Sequence, residues 1–328
     1  MTTMTMAKAL NAGLRCAMDR DPRVILIGED IGRLGGVFRI TDGLQKDFGE
    51  HRVIDAPLAE SGIVGVAVGM AMRGYRPVVE IQFDGFVYPA FDQIVSQVAK
   101  TLRRSEGAVR VPMVIRIPYG GGIGAVEHHS ESPEAYFAHT AGLRVLTPSS
   151  PETAYVTIQQ AIACEDPVVY FEPKRRYWDK GEVRETADVI APGMAADAWR
   201  ARVIRPGSDV TVVCYGPMVR TCLEAAEAAQ DVSLEVIDLQ ALSPLDIDAV
   251  TSSVERTGRL VVVHEASSNV GLGAEIAAQV TERCFYALEA PVLRVTGFDV
   301  PYPASRLEEH FLPDLDRVLD AVDRAMAY

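Results

Sequence analysis

Apolar, β-branched runs that alternate with segments of helical length predict an α/β fold divided into two domains. The runs lie at residues 24–27, 78–83, 113–117 and 168–171, then at 210–215, 234–239, 260–264 and 292–295. They show little alternation of apolar and polar positions, the pattern of strands buried on both faces of a mostly parallel sheet. Between them, residues 5–19, 61–73, 89–103, 151–163, 219–230 and 274–288 have helical length and composition. The rhythm breaks over 179–208, where Pro192-Gly193 and Pro206-Gly207 fall. We therefore expect a first domain over 1–185, a linker over 186–206 and a second domain over 207–328. At 328 residues the chain also exceeds the commonest domain size of about 100–150 residues.

Composition narrows the function classes. Hydrophobic residues make up 48% and charged residues 23%, so each half has enough apolar surface for a core. A formal net charge of −13 opposes a polyanionic partner, and the one dense basic cluster is Lys174-Arg175-Arg176, which argues against nucleic acid. No segment approaches the roughly 18 uninterrupted apolar residues of a membrane span, and the first ten residues lack an export pattern. A soluble, cytoplasmic protein is expected. The five cysteines are scattered, without Cys-x-x-Cys spacing, and read as reduced thiols rather than a disulfide or zinc framework.

Three stretches carry candidate chemistry. Glu60 precedes residues 63–72, an apolar run with Gly62, Gly65 and Gly69 nearby. Such a helix is buried all round, either as a close-packed core helix or across a subunit interface. A carboxylate at its start is either a capping acid or a buried functional group, and local sequence leaves both open. Next, residues 81–93 run from a strand into an aromatic turn, where Phe86 suits either stacking on a flat ligand or the core. Finally Gly120, Gly121, Gly122 and Gly124 let backbone approach a ligand closely, and His128 and His129 follow. Adjacent histidines make a poor metal site, whereas one of them suits acid/base work. Neither Gly122-x-Gly124 nor Gly271-x-Gly273 is completed by a third glycine, since Glu127 and Ile276 stand there; this disfavours a dinucleotide.

Taken in order, Gly28-Glu29-Asp30, Gly35-Gly36-Val37-Phe38-Arg39, Ala56-Pro57-Leu58-Ala59-Glu60-Ser61-Gly62-Ile63, Tyr88-Pro89-Ala90-Phe91-Asp92-Gln93, His129-Ser130-Glu131-Ser132-Pro133-Glu134, Phe171-Glu172-Pro173-Lys174 and His264-Glu265 resemble the β subunits of pyruvate and branched-chain 2-oxoacid dehydrogenases. The resemblance spans almost the whole chain. It implies a thiamine-diphosphate-binding pyrimidine domain followed by a transketolase C-terminal-like domain. It also implies an α2β2 heterotetramer, in which the cofactor lies between chains and works on a lipoylated dihydrolipoyl acyltransferase core.

The family's residues carry over position by position. The glutamate matching Glu60 bonds to the aminopyrimidine ring and favours the form that takes the C2 proton of the thiazolium. Phe86 falls where the family places an aromatic beside the pyrimidine, Leu58 and Gln82 fall on neighbouring pocket positions, and His129 matches a histidine of acyl transfer. Asp166 lies in a segment that holds potassium in some members, largely through backbone carbonyls. The family's diphosphate and magnesium motif, Gly-Asp-Gly, is missing, so the resemblance assigns Mg2+ and the diphosphate to the α subunit. The expected substrates are branched-chain 2-oxoacids, with pyruvate as the alternative, and a non-catalytic assembly subunit as a third.

Overall fold

The computed structural model describes residues 1–185 and 197–328. Its first sheet has seven strands, ordered Ala241–Ser243, Arg144–Leu146, Val168–Pro173, Val114–Tyr119, Arg76–Glu80, Val24–Gly28 and Val53–Asp55. All neighbours are parallel except Ala241–Ser243, which runs antiparallel to Arg144–Leu146. The second sheet orders Leu293–Gly297, Leu260–Ser267, Val210–Cys214, Leu234–Asp238 and Arg202–Arg205, the last antiparallel and the rest parallel. Thr2–Thr5 and Lys180–Val183 form a separate antiparallel pair.

The central strands are buried along their whole length, which is why their sequences do not alternate. On one face of the large sheet, helices Met6–Arg20 and Pro151–Ala163 bury Leu10, Leu14, Tyr155 and Ile158 against Leu26, Val78 and Tyr170. Each helix start follows from its residues. The Thr5 hydroxyl accepts from the Lys8 N–H, and Ser150 and Thr153 make a reciprocal capping box around Pro151. On the outer face of the second sheet, helices Met218–Ala228 and Leu315–Met326 cover Val212, Val236 and Val263.

The faces that remain bury against each other. One apolar cluster joins helix Glu60–Met72 and strand residues Ile115, Ile117 and Phe171 to Val213, Ile237 and Val262 of the second sheet and to Ile276 of helix Leu272–Cys284. Polar contacts seal this interface: the Tyr215 hydroxyl donates to Glu134 at 2.7 Å, and the Ser149 hydroxyl donates to Asp238 at 2.6 Å. Ala241–Ser243 goes further and covers the edge of the first sheet with chain from the second unit.

Two sequence expectations change here. Residues 89–103 are not one helix: a tight turn over Asp84–Ala90 contains Pro89, and a wide π-helical turn over Gln93–Val98 precedes Thr101–Arg104. Proline inside the turn removes a backbone donor and sets the break. Of the expected linker, 186–196 lie outside the described residues, while Arg202–Arg205 is a strand of the second sheet. The five cysteines are all unpaired, with Cys214, Cys222 and Cys284 buried. Among the described residues no helix is long and apolar enough to cross a membrane.

Candidate active site

Parallel strands deliver their carboxyl ends to one edge of the large sheet, and most of the candidates follow such an end. Glu29 follows Val24–Gly28, Leu58 and Glu60 follow Val53–Asp55, Gln82 and Phe86 follow Arg76–Glu80, and the glycine and histidine segment follows Val114–Tyr119. This edge is where open α/β folds build sites.

Glu60 is the first residue of helix Glu60–Met72, only 8% exposed, and its carboxylate has no hydrogen-bond or ion-pair partner among the described residues. It does not cap its own helix, so the plain capping reading fails. Its charge is felt by Glu29, whose carboxyl is raised above the ordinary value by burial first, then by Asp30 and Glu60. The helix packs against the turn Asp84–Ala90, which carries Phe86. Gln82 is half-buried at the start of that segment, and Leu58 is 69% exposed.

Phe83, Phe86 and His129 form an aromatic group, with ring centroids 4.2 Å apart for Phe83 and His129 and 5.2 Å for Phe86 and His129. Nδ1 of His129 is buried without a partner. Burial, then His128 and Lys174, lower its pKa, which favours the neutral imidazole. His128, in contrast, is exposed. Gly85 makes this approach feasible, since a Cβ there would stand 2.2 Å from the His128 carbonyl oxygen.

Beneath the histidines lies a buried ionic layer that single-sequence reading did not find. Lys174 is ion-paired to Asp84, both buried, and its ammonium lies 5.7 Å from the centre of the Phe83 ring. Burial lifts the Asp84 carboxyl to about 6 and lowers the Lys174 ammonium, each opposed by the partner's charge. The other Asp84 oxygen accepts the Glu131 N–H at 2.7 Å. Alongside, Arg116 bridges Glu80 at 2.6 Å and Glu172 at 2.7 Å, and the Tyr177 hydroxyl donates to Glu172. The available signal was charge inside strand-like runs, at Glu80, Arg116 and Glu172, where only paired charges persist.

The glycine segment does not hold an empty cradle. The Gly121 N–H donates to Glu265, and the N–H groups of Gly122 and Gly124 donate to Glu308 at 2.8 and 3.0 Å. The nest of N–H groups in this segment is filled by the chain's own carboxylates. The basic cluster is also consumed internally: Lys174 pairs with Asp84, Arg175 lies 3.2 Å from Glu265, and Arg176 donates to the Pro217 carbonyl. Asp166 stands apart from the site. It precedes Val168–Pro173, at the opposite end of the strands, and Arg144 donates to it at 2.8 Å while lying 4.6 Å from the Trp199 ring. Among the described residues no group of three or more His, Cys, Asp or Glu could hold a metal ion.

Family comparisons agree with this architecture. Residues 2–179 match the transketolase pyrimidine-binding domain and residues 200–318 the transketolase C-terminal domain. A pyruvate dehydrogenase E1 component subunit beta of Leifsonia xyli is 58% identical over 328 residues, covering 99% of this chain and 96% of that protein. A 3-methyl-2-oxobutanoate dehydrogenase subunit beta of Mycobacterium tuberculosis is 54% identical, covering 99% and 92%.

The chain belongs to the β subunits of the 2-oxoacid dehydrogenase E1 components. A 2-oxoisovalerate dehydrogenase subunit beta of Pseudomonas aeruginosa, 44% identical over 99% of this chain and 96% of that one, belongs to the same group. A solved split-gene transketolase, described as an inactive beta4 tetramer, shares the fold, with a TM-score of 0.79 at 23% identity over 99% of this chain and 98% of that one. The family depends on thiamine diphosphate. For an E1 β subunit, the residues on this edge fit one part of that cofactor. An unpartnered buried carboxylate and a half-buried aromatic suit an aminopyrimidine, whereas the filled glycine nest leaves no cradle there for a diphosphate.

Proposed function

We propose that this chain supplies the pyrimidine side of the active site in an E1 enzyme that oxidatively decarboxylates branched-chain 2-oxoacids with an α-subunit partner. The observation that carries the reading is Glu60, a carboxylate buried at a helix start without a partner among the described residues. In such a low-dielectric position it would hold a proton on a ring nitrogen far more strongly than in water. Phe86 would flank the ring, Gln82 and Leu58 would line the neighbouring wall, and exposed Leu58 suits contact with a second chain. Bound thiamine diphosphate would supply the electron sink for decarboxylation. His129, held by Phe83 and Phe86, would serve the transfer of the acyl group to the lipoyl arm of an acyltransferase. Mg2+ and the diphosphate would fall to the α chain of an α2β2 assembly. The expected potassium ion would rest on backbone carbonyls of the segment around Asp166, whose own carboxylate is engaged by Arg144.

The substrate choice rests on the phrases Pro89-Ala90-Phe91-Asp92-Gln93 and Phe171-Glu172-Pro173-Lys174-Arg175-Arg176-Tyr177, and on the relatives named for branched-chain acids. Pyruvate is the second reading, favoured by the 58% identical relative. A methylene or two in an apolar pocket changes selectivity by only about 1–3 kcal/mol, so assay must decide. The reconstituted α/β pair should turn over 3-methyl-2-oxobutanoate better than pyruvate, and the reverse preference refutes the branched-chain assignment. In the same pair, Glu60→Ala should leave assembly intact and cut decarboxylation by about 100-fold or more. Turnover that survives this substitution would return the chain to the role of an assembly subunit.

A further inference from the structure

Residues 120–131 form a closed loop whose neck is a backbone bond from the Gly120 N–H to the Glu131 carbonyl at 2.8 Å. Its two limbs are fastened differently. The histidine limb rests on the first domain, through the Phe83 and Phe86 rings and the Glu131 N–H bond to Asp84. The glycine limb is held from the second sheet's side of the molecule, by Glu265 on Gly121 and by Glu308 on Gly122 and Gly124. Glu308 is itself oriented, because the Tyr302 hydroxyl donates to its Oε1 at 2.6 Å. The fit is close: a Cβ on Gly121 would collide with the Tyr302 hydroxyl, and one on Gly122 would stand 2.7 Å from the Arg175 side chain. Gly120, Gly122 and Gly124 all have positive φ, which turns successive N–H groups toward the carboxylates.

We propose that Glu308 is a positioning residue for acyl transfer: it locks the glycine limb of the 120–131 loop to the second domain and so fixes His129 at the site. Two charge-assisted bonds from one carboxylate span the domain interface, and each restrains a loop whose glycines would otherwise leave it free. Glu265 restrains the neighbouring residue and is in turn flanked by Arg175. The proposal rests on the reading of His129 as the acyl-transfer histidine, so its test keeps the two claims apart.

The experiment uses the α/β complex with Glu308→Ala, Glu308→Gln and His129→Ala. Decarboxylation is followed with a dye as electron acceptor, and acyl transfer with a lipoylated domain. Glu308→Ala should slow acyl transfer by about tenfold or more, as small misplacements of a reacting group do, while decarboxylation to the dye changes by less than about twofold. Glu308→Gln, which keeps a carbonyl oxygen to accept one N–H, should recover part of the loss. Hydrogen exchange at residues 121–129 should rise in Glu308→Ala with the rest of the complex unchanged. Equal losses in both assays, or unchanged exchange in the loop, would overturn the proposal. If His129→Ala leaves acyl transfer intact, the reading of His129 falls, and the exchange measurement alone then decides whether Glu308 positions the loop.

Discussion

Glu134 sits fully buried between the domains, with one oxygen accepting from Tyr215 and the other without a partner. Burial, only partly offset by that hydrogen bond, raises its carboxyl to about 7. Between its ordinary value and 7 the folded protein therefore holds a proton that the unfolded chain releases. The stability it contributes is present at low pH and is lost as pH rises through 7. Replacing it with glutamine keeps the acceptor for Tyr215 and removes the titration. Urea unfolding at pH 5 and pH 8 should show wild type losing about 2–3 kcal/mol relative to Glu134→Gln over that interval. Equal pH slopes for the two proteins would refute this. Such residues were hard to read in the sequence, since Glu134 looks like any polar residue of a loop. Glu60 was legible because its neighbours are apolar, yet only the fold decided between a cap and an unpartnered acid.

Elements were legible where period and length agreed, and they failed where a contact from elsewhere set the conformation. The central strands and helix Pro151–Ala163 follow from buried β-branched runs and a capping box. Ala241–Ser243, by contrast, is three residues long and becomes a strand only because Arg144–Leu146 offers it an edge. The turn Asp84–Ala90 is another such case. Asp84-Gly85 resembles an ordinary turn signal, but the glycine serves the histidine limb stacked on it. Gly85→Ala would place a methyl 2.2 Å from the His128 carbonyl oxygen and 2.8 Å from its Cβ, so the limb must move. The variant should fold with an unchanged far-ultraviolet spectrum and lose about tenfold or more in acyl transfer. Full activity in this variant would mean that the limb tolerates displacement and that the His129 geometry is not critical.

Across the whole molecule, charge is distributed against holding a diphosphate alone. The net charge is −13, and each member of the one basic cluster is engaged within the chain, by Asp84, Glu265 and the Pro217 carbonyl. The glycine nest that would suit phosphate oxygens already carries Glu265 and Glu308. A diphosphate brought there would displace carboxylates that also join the two domains, and it would compete with them for the neighbouring Arg175. The pyrimidine end has an unpartnered acid and an aromatic group, which is too little to hold a flexible dianionic or trianionic cofactor by itself. Calorimetric titration should therefore detect no thiamine diphosphate binding to the purified chain at concentrations that saturate the α/β complex with Mg2+. Free thiamine, which lacks the diphosphate, should lose most of its affinity for the complex if the proposed α chain supplies the anchoring charge. Tight binding by this chain alone would require a phosphate site that its own residues fill, and would overturn the division of the active site between two subunits.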